Sequence, residues 1–256
     1  MKADLSSSIL TVPQRSKAYP SPPATPQGVK LSDITAHFTG LTRDHRGEWR
    51  FYLIEPSDPM QARSSEGRPF MLYLHGGAYV ATAQSAHFEL VYDVCQRTGA
   101  TILLPAYPRP PTDNVTHRDV IEPLVQLCGK LRASAAAPSA TVGDDDEASR
   151  IYALARSARN FTISGDSAGG GLALALTMLL LREAKQNLLP DTLILNAPWL
   201  DVSLTDAEIA GHYDRLVSSV WSRGVSVAAE CIKPTSLPTS TSRCHGAHRI
   251  PGYVCL

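Results

Sequence analysis

The sequence predicts an α/β fold with a mostly parallel sheet flanked by helices, and three observations carry that prediction. Short apolar runs that read as strands alternate with segments whose apolar residues recur at helical spacing. One of those strands runs into a glycine-flanked serine, Gly165-Asp166-Ser167-Ala168-Gly169, and an apolar helix begins directly behind it. The chain has 256 residues, with 24 Lys plus Arg against 24 Asp plus Glu, enough length for one domain with a sizeable core.

The elements follow in order. Residues 1–30 contain Pro13, Pro20, Pro22, Pro23 and Pro26, too many for regular structure, so residues 1–47 read as a Pro-rich arm, mobile or draped over the body. Trp49 to Ile54 alternates as a strand, and Pro69 to Leu74 is a more buried one that stops at His75-Gly76-Gly77. Phe88, Leu90, Val91, Val94 and Cys95 place an amphipathic helix over 86–98, with Gly99 as its stop. Thr101 to Leu104 is the next strand. Val120, Ile121, Leu124, Val125, Leu127 and Leu131 mark a helix over 117–133, in which Pro123 is tolerable only near the first turn. Residues 134–149 read as a loop whose run Asp144-Asp145-Asp146-Glu147 fits a solvated loop or a helix start and no metal-ligand spacing. Asn160 to Ser164 and Asp191 to Ala197 supply two further strands, on either side of the helix LALALTMLLLREA.

Chemistry enters through two glycine motifs. Gly165-x-Ser167-x-Gly169 matches a nucleophile elbow, in which serine sits on a strained strand-to-helix turn with its oxygen held clear of the sheet. Side chains at the two glycines would collide with neighbouring backbone, and the helix start offers amide donors to a developing oxyanion. His75-Gly76-Gly77-Ala78 follows an earlier strand, where a second oxyanion-hole segment belongs, and the two motifs occur in the right order.

Together HGGAYV, GDSAGGGLAL and NAPWLDVSL resemble the hormone-sensitive-lipase-like esterases, the fold-3 group of α/β-hydrolases, over roughly residues 48–206. The resemblance implies an α/β-hydrolase fold and a serine carboxylic ester hydrolase acting on small or medium acyl esters. It implies Ser167 as nucleophile and the amides of Gly76, Gly77 and Ala168 as the oxyanion hole. His75, Gly165, Asp166 and Gly169 would support the motifs, with His75 shaping its loop rather than acting as base. No metal or organic cofactor is implied. The segment PAYPRPPTDNV departs from the family's pattern and alters one pocket wall.

Hydrolases of this fold place an acid and then a histidine after the serine in chain order. About fifty residues follow Asp201, and from Arg215 onward Glu230 is the one acidic residue, against 23 in the first 214. Residues 207–256 therefore read as an irregular tail, aberrant or disordered, and the fold as incomplete at its C-terminal end. The acid and base are left unassigned: Asp201, Asp206 and Asp214, and His212, His245 and His248, are poor candidates because no strand pattern ends beside them. Weak or absent turnover is the corresponding expectation. The alternative is a non-catalytic protein of the same fold that binds a small ligand in the acyl pocket.

No basic stripe with interleaved aromatics is present, which excludes the usual footprint of nucleic-acid binding. No apolar run is long enough to span a membrane. The five cysteines form neither a disulfide framework nor a zinc spacing. A cytoplasmic protein with a small-molecule ester substrate and an unassigned oligomeric state is the resulting expectation.

Overall fold

In the computed structural model, residues 21–37, 48–57, 67–109, 113, 115–133, 146–200 and 253–255 are described. Their strands form one seven-stranded sheet in the order β1-β2-β4-β3-β5-β6-β7. The strands are β1 (Val29–His37), β2 (Glu48–Pro56), β3 (Pro69–Leu74), β4 (Thr101–Ala106), β5 (Asn160–Asp166), β6 (Thr192–Asn196) and β7 (Tyr253–Cys255). β1 and β2 pair antiparallel, as do β2 and β4, while every pairing from β4 across to β7 is parallel.

Two of these strands correct the sequence reading. Residues 29–37, assigned to the N-terminal arm, form β1, and Tyr253–Cys255, assigned to the irregular tail, pairs with β6. In β1 the few apolar side chains are divided between two faces, Val29 and Leu31 toward one core and Ile34 toward the other, so no single-face alternation announces a strand. The preceding segment is draped over the body. Tyr92 donates its hydroxyl proton to the Pro23 carbonyl (3.3 Å), and the Gln96 amide donates to the Gln27 carbonyl (2.7 Å).

The helices are α1 (Ser85–Thr98), α2 (Arg118–Arg132), α3 (Asp146–Arg156) and α4 (Ser167–Arg182). α1 buries Phe88, Val91, Tyr92 and Cys95, the i, i+3, i+4, i+7 stripe that an amphipathic helix turns to a core. Gly99 ends it in the left-handed region (φ 68°) and returns its N–H to Cys95. α2 begins at Arg118 and carries Pro123 just past its first turn, with the residue buried among the helix's core residues. The acidic run leads into a helix, since α3 begins at Asp146.

The central strands of the sheet are buried on both sides. Phe51, Leu53, Phe70, Leu72, Leu103, Phe161 and Ile163 face α2, α3 and α4. Their neighbours Tyr52, Ile54, Tyr73, Ile102 and Leu104 face α1. The division follows from strand order: β3 to β4 moves one way across the sheet and β5 to β6 the other, and right-handed crossovers of opposite sense lie on opposite faces. The chain leaving β3 and the chain leaving its neighbour β5 therefore part toward opposite faces. That leaves a crevice at their C-terminal ends, the place where open α/β sheets hold their ligands.

Candidate active site

Ser167 stands at that crevice. It follows β5 directly and opens α4, with φ of 48°, a left-handed conformation that is strained for a residue with a Cβ. It is exposed, whereas Ala168 behind it is fully buried. The sharp turn depends on the glycines beside it. A Cβ on Gly165 would lie 2.5 Å from the Gly169 carbonyl oxygen and 2.7 Å from that of Leu74. A Cβ on Gly169 would lie 2.0 Å from the Leu74 oxygen and 2.4 Å from that of His75. The elbow is thus pressed against the end of β3, and no side chain fits between them. From the other side the Trp199 amide donates to the Ser167 carbonyl (2.8 Å).

The segment after β3 runs through three consecutive positive-φ residues, Gly77 (118°), Ala78 (53°) and Tyr79 (59°). The Gly77 carbonyl accepts the amides of Val80 (3.0 Å) and Ala81 (2.9 Å), which closes a tight turn. Amides in the first turn of such a structure have no partner within it, and the same holds for Ala168 in the first turn of α4. Gly76 differs from its expected role. Its amide donates to Asp166 Oδ1 (2.8 Å), so this N–H is engaged by the elbow. A Cβ on Gly76 would fall 2.2 Å from Asp166 Oδ2, and only glycine permits the approach.

Asp166 is the hub of the site. Besides Gly76 it accepts the Tyr73 hydroxyl at Oδ1 (2.7 Å), and His87 Nε2 lies 3.4 Å from Oδ2. Burial alone would raise its carboxyl pKa, but the hydrogen bonds from His87, Tyr73 and Gly76 outweigh it and hold the group below its ordinary value. Tyr73 moves the opposite way, its phenol pushed up by burial and by the Asp166 charge. His87 Nδ1 accepts the Gln84 amide (2.8 Å), which leaves Nε2 carrying the proton toward Asp166.

His75 shapes the same loop. Its Nδ1 lies 2.7 Å from the Gly76 carbonyl, its own carbonyl accepts the Tyr107 hydroxyl (2.5 Å), and its ring stacks on Tyr107 at 4.4 Å. Burial pushes its pKa down to about 4, so at neutral pH the ring is uncharged and its Nδ1–H is a donor to Gly76. Arg109 and Asp113, in the segment that departs from the expected family pattern, clamp one another through Nε (3.1 Å) and Nη2 (3.1 Å).

The structure therefore brings Gly76, Asp166, Gly165 and Gly169 together as one packed unit around Ser167. Asp201, Asp206 and Asp214, and His212, His245 and His248, lie outside the described residues. Sequence reasoning missed Tyr73, His87 and Tyr107, and gave Ala78 and Trp199 no part. Tyr73 had one available signal, since it shares a strand face with the end of β3 two residues before His75. His87 had none. Among the described residues no group of His, Cys, Asp and Glu is arranged to hold a metal ion, and no helix is long and apolar enough to cross a membrane.

Comparisons with known proteins agree with this architecture. LipR of Mycobacterium tuberculosis (strain ATCC 25618 / H37Rv), whose name describes an acetyl-hydrolase, is 31% identical over 134 residues, covering 52% of this chain and 36% of LipR. A protein named esterase from Acinetobacter venetianus is 27% identical over 150 residues, covering 58% of this chain and 42% of its own. Among solved structures, brefeldin A esterase, described as a bacterial homologue of human hormone sensitive lipase, superposes with a TM-score of 0.58 at 17% identity. That match covers 83% of this chain and 54% of the esterase. The chain thus spans less than half the length of these two curated relatives and about half of the solved esterase. The family model described as alpha/beta hydrolase fold matches residues 71–227, and on that match, with the strand order and the elbow, the chain belongs to the alpha/beta hydrolase fold family.

Proposed function

We propose that this chain carries the acyl-transfer site of a serine carboxylic ester hydrolase acting on small or medium acyl esters. The observation that carries the reading is the backbone at Ser167. A serine held at φ 48° between a strand and a helix, with neighbours that cannot bear a Cβ, is a costly arrangement whose benefit is an exposed hydroxyl beside first-turn amides.

In this reading Ser167 Oγ attacks the ester carbonyl carbon, and the carbonyl oxygen becomes an oxyanion held by N–H groups. Ala168 and Gly77 supply two of them, and Ala78 takes the place first given to Gly76, whose amide is engaged by Asp166. The C–O bond to the alkoxide breaks and the proton lost by Ser167 Oγ ends on that alkoxide, which departs as the alcohol; water then attacks the acyl-serine, releasing the acid and returning a proton to Oγ. The histidines flanking the elbow are poor bases as they stand. His75 is buried and bonded to Gly76, and both nitrogens of His87 are engaged, by Gln84 and by Asp166.

The test reads the acylation step. With p-nitrophenyl acetate in excess, about one equivalent of p-nitrophenol per chain should appear in a first phase, with acetyl found on Ser167 and none in Ser167→Ala. Release that persists unchanged in Ser167→Ala would overturn the reading. A chain that binds short acids without ever being acylated would instead be a ligand-binding protein of this fold.

A further inference from the structure

Resting on the site proposed above, we infer that His87 is a positioning residue of the oxyanion hole, acting on it through Asp166. The chain of contacts is continuous. Gln84 donates to His87 Nδ1 (2.8 Å), His87 Nε2 faces Asp166 Oδ2 (3.4 Å), and Asp166 Oδ1 accepts the Gly76 amide (2.8 Å). The last of these fixes the residue from which the left-handed turn Gly77-Ala78-Tyr79 begins.

The tautomer gives the contact its direction. Because the Gln84 amide occupies Nδ1, the neutral ring must hold its proton on Nε2, where the acceptor within reach is the Asp166 carboxylate. Asp166 then accepts from Gly76 and Tyr73 at Oδ1, and His87 Nε2 stands 3.4 Å from Oδ2, with its N–H directed to that side. Without the Oδ2 contact the carboxylate is held at Oδ1 alone, by Gly76 and Tyr73, and a negative charge placed opposite Oδ2 favours rotation about its Cβ–Cγ bond that lengthens the bond from the Gly76 amide. The side chains of His87 and Asp166 are both largely withdrawn from solvent, 14% and 21% exposed, so water is a poor substitute for the missing donor.

His87 also has a local task, which the test must separate. It is the third residue of α1 and its side chain caps the Gln84 amide at the helix N-terminus. Glutamate at this position keeps the cap, because its carboxylate accepts from Gln84, but it presents a negative charge to Asp166. Glutamine, of the same shape, accepts from Gln84 and donates to Asp166. A purely local role predicts that both variants behave like the parent chain, and a positioning role separates them.

Two readouts are taken on the full chain as His87→Gln and His87→Glu, with helix content of each checked by circular dichroism. The first is hydrogen exchange of the Gly76 amide and the position of its proton resonance, which does not depend on any chemistry at Ser167. His87→Glu should exchange about tenfold faster or more, with the resonance moved upfield as the carboxylate bond is lost, and His87→Gln should stay near the parent. The second is the rate of phosphonylation of Ser167 by a fluorophosphonate, which should fall about tenfold or more in His87→Glu and be restored in His87→Gln. Equal Gly76 exchange in the two variants would overturn the inference. Separated exchange in a parent chain that is never phosphonylated would uphold the tether from His87 to Gly76 and remove the catalytic site built on it.

Discussion

Asp166 Oδ1 accepts the amide of Gly76 across a gap of 90 positions in sequence, at 2.8 Å, and so the residue before the candidate nucleophile also holds the loop that faces it. The two halves of the site are joined by one carboxylate. Asp166→Ala removes the acceptor for Gly76 and Tyr73 and the carboxylate that His87 faces, and leaves all three groups without this partner in a largely buried place. The expected cost is about 3 kcal/mol, the scale of charge-assisted hydrogen bonds lost in this way, read as a lower urea midpoint. Asp166→Asn, which keeps one acceptor oxygen, should lose less than half of that.

The glycines can be ranked by what a Cβ would meet. Gly169→Ala drives a methyl to 2.0 Å from the Leu74 oxygen and should destabilise the fold by about 3 kcal/mol or more, because backbone and not a flexible side chain would have to move. Gly99→Ala meets nothing within 4 Å and has only its positive φ to contend with, so about 1 kcal/mol is expected. Chemical unfolding of both variants measures the difference, and equal costs would mean that the elbow is not pressed against β3.

Strain at Ser167 makes a prediction of opposite sign. Ser167→Gly removes the Cβ that the left-handed backbone disfavours, and the variant should be as stable as the parent or more stable by about 1 kcal/mol, while losing all acylation. Destabilisation by the same amount would show that the conformation is not strained.

Acid should weaken the fold through His75. Its pKa is lowered by burial from the ordinary 6.5 to about 4, so above pH 6.5 the ring is neutral in both states and folding is unaffected. As the pH falls from 6.5 to about 4 the unfolded chain binds a proton that the folded chain refuses, and stability declines, by about 3 kcal/mol once pH 4 is passed. Asp166 adds to the loss at lower pH, since a carboxyl held below its ordinary value contributes stability that disappears as it is protonated. Urea midpoints measured from pH 7 to 4 give the slope. His75→Asn, which can still donate to the Gly76 carbonyl but does not titrate, should flatten it.

Much of the fold was legible because the central parallel strands β3, β4 and β5 are buried on both faces and stand out as apolar runs. Pro69 to Leu74 was read with the bounds the structure gives it, and the helix at 86–98 was read within one residue of α1. The elbow was legible for a local reason, that Gly165 and Gly169 are needed within one turn of Ser167. β1 was not, since its apolar residues Val29, Leu31 and Ile34 are divided between two faces, and neither was β7, which lies in a stretch without periodicity. The contacts that tie Asp166 to Tyr73, Gly76 and His87 were not legible in the sequence. They form only because β3 and β5 are paired in a particular register, Tyr73 beside Ser164 and Leu74 beside Gly165, and no spacing in the sequence encodes that. The same register explains the bond at Gly76, whose amide looks available until Asp166 is placed beside it.

Mapping the site of fluorophosphonate attachment tests the central claim most directly. One chain should take up one phosphonyl group, mass spectrometry should locate it on Ser167, and the folded chain should react about 10³-fold faster than the urea-unfolded chain, the acceleration that an oxyanion hole and binding supply by themselves. Ser167→Ala should take up none. Attachment scattered over other serines, or a folded chain that reacts no faster than an unfolded one, would contradict the assignment of Ser167 as the nucleophile.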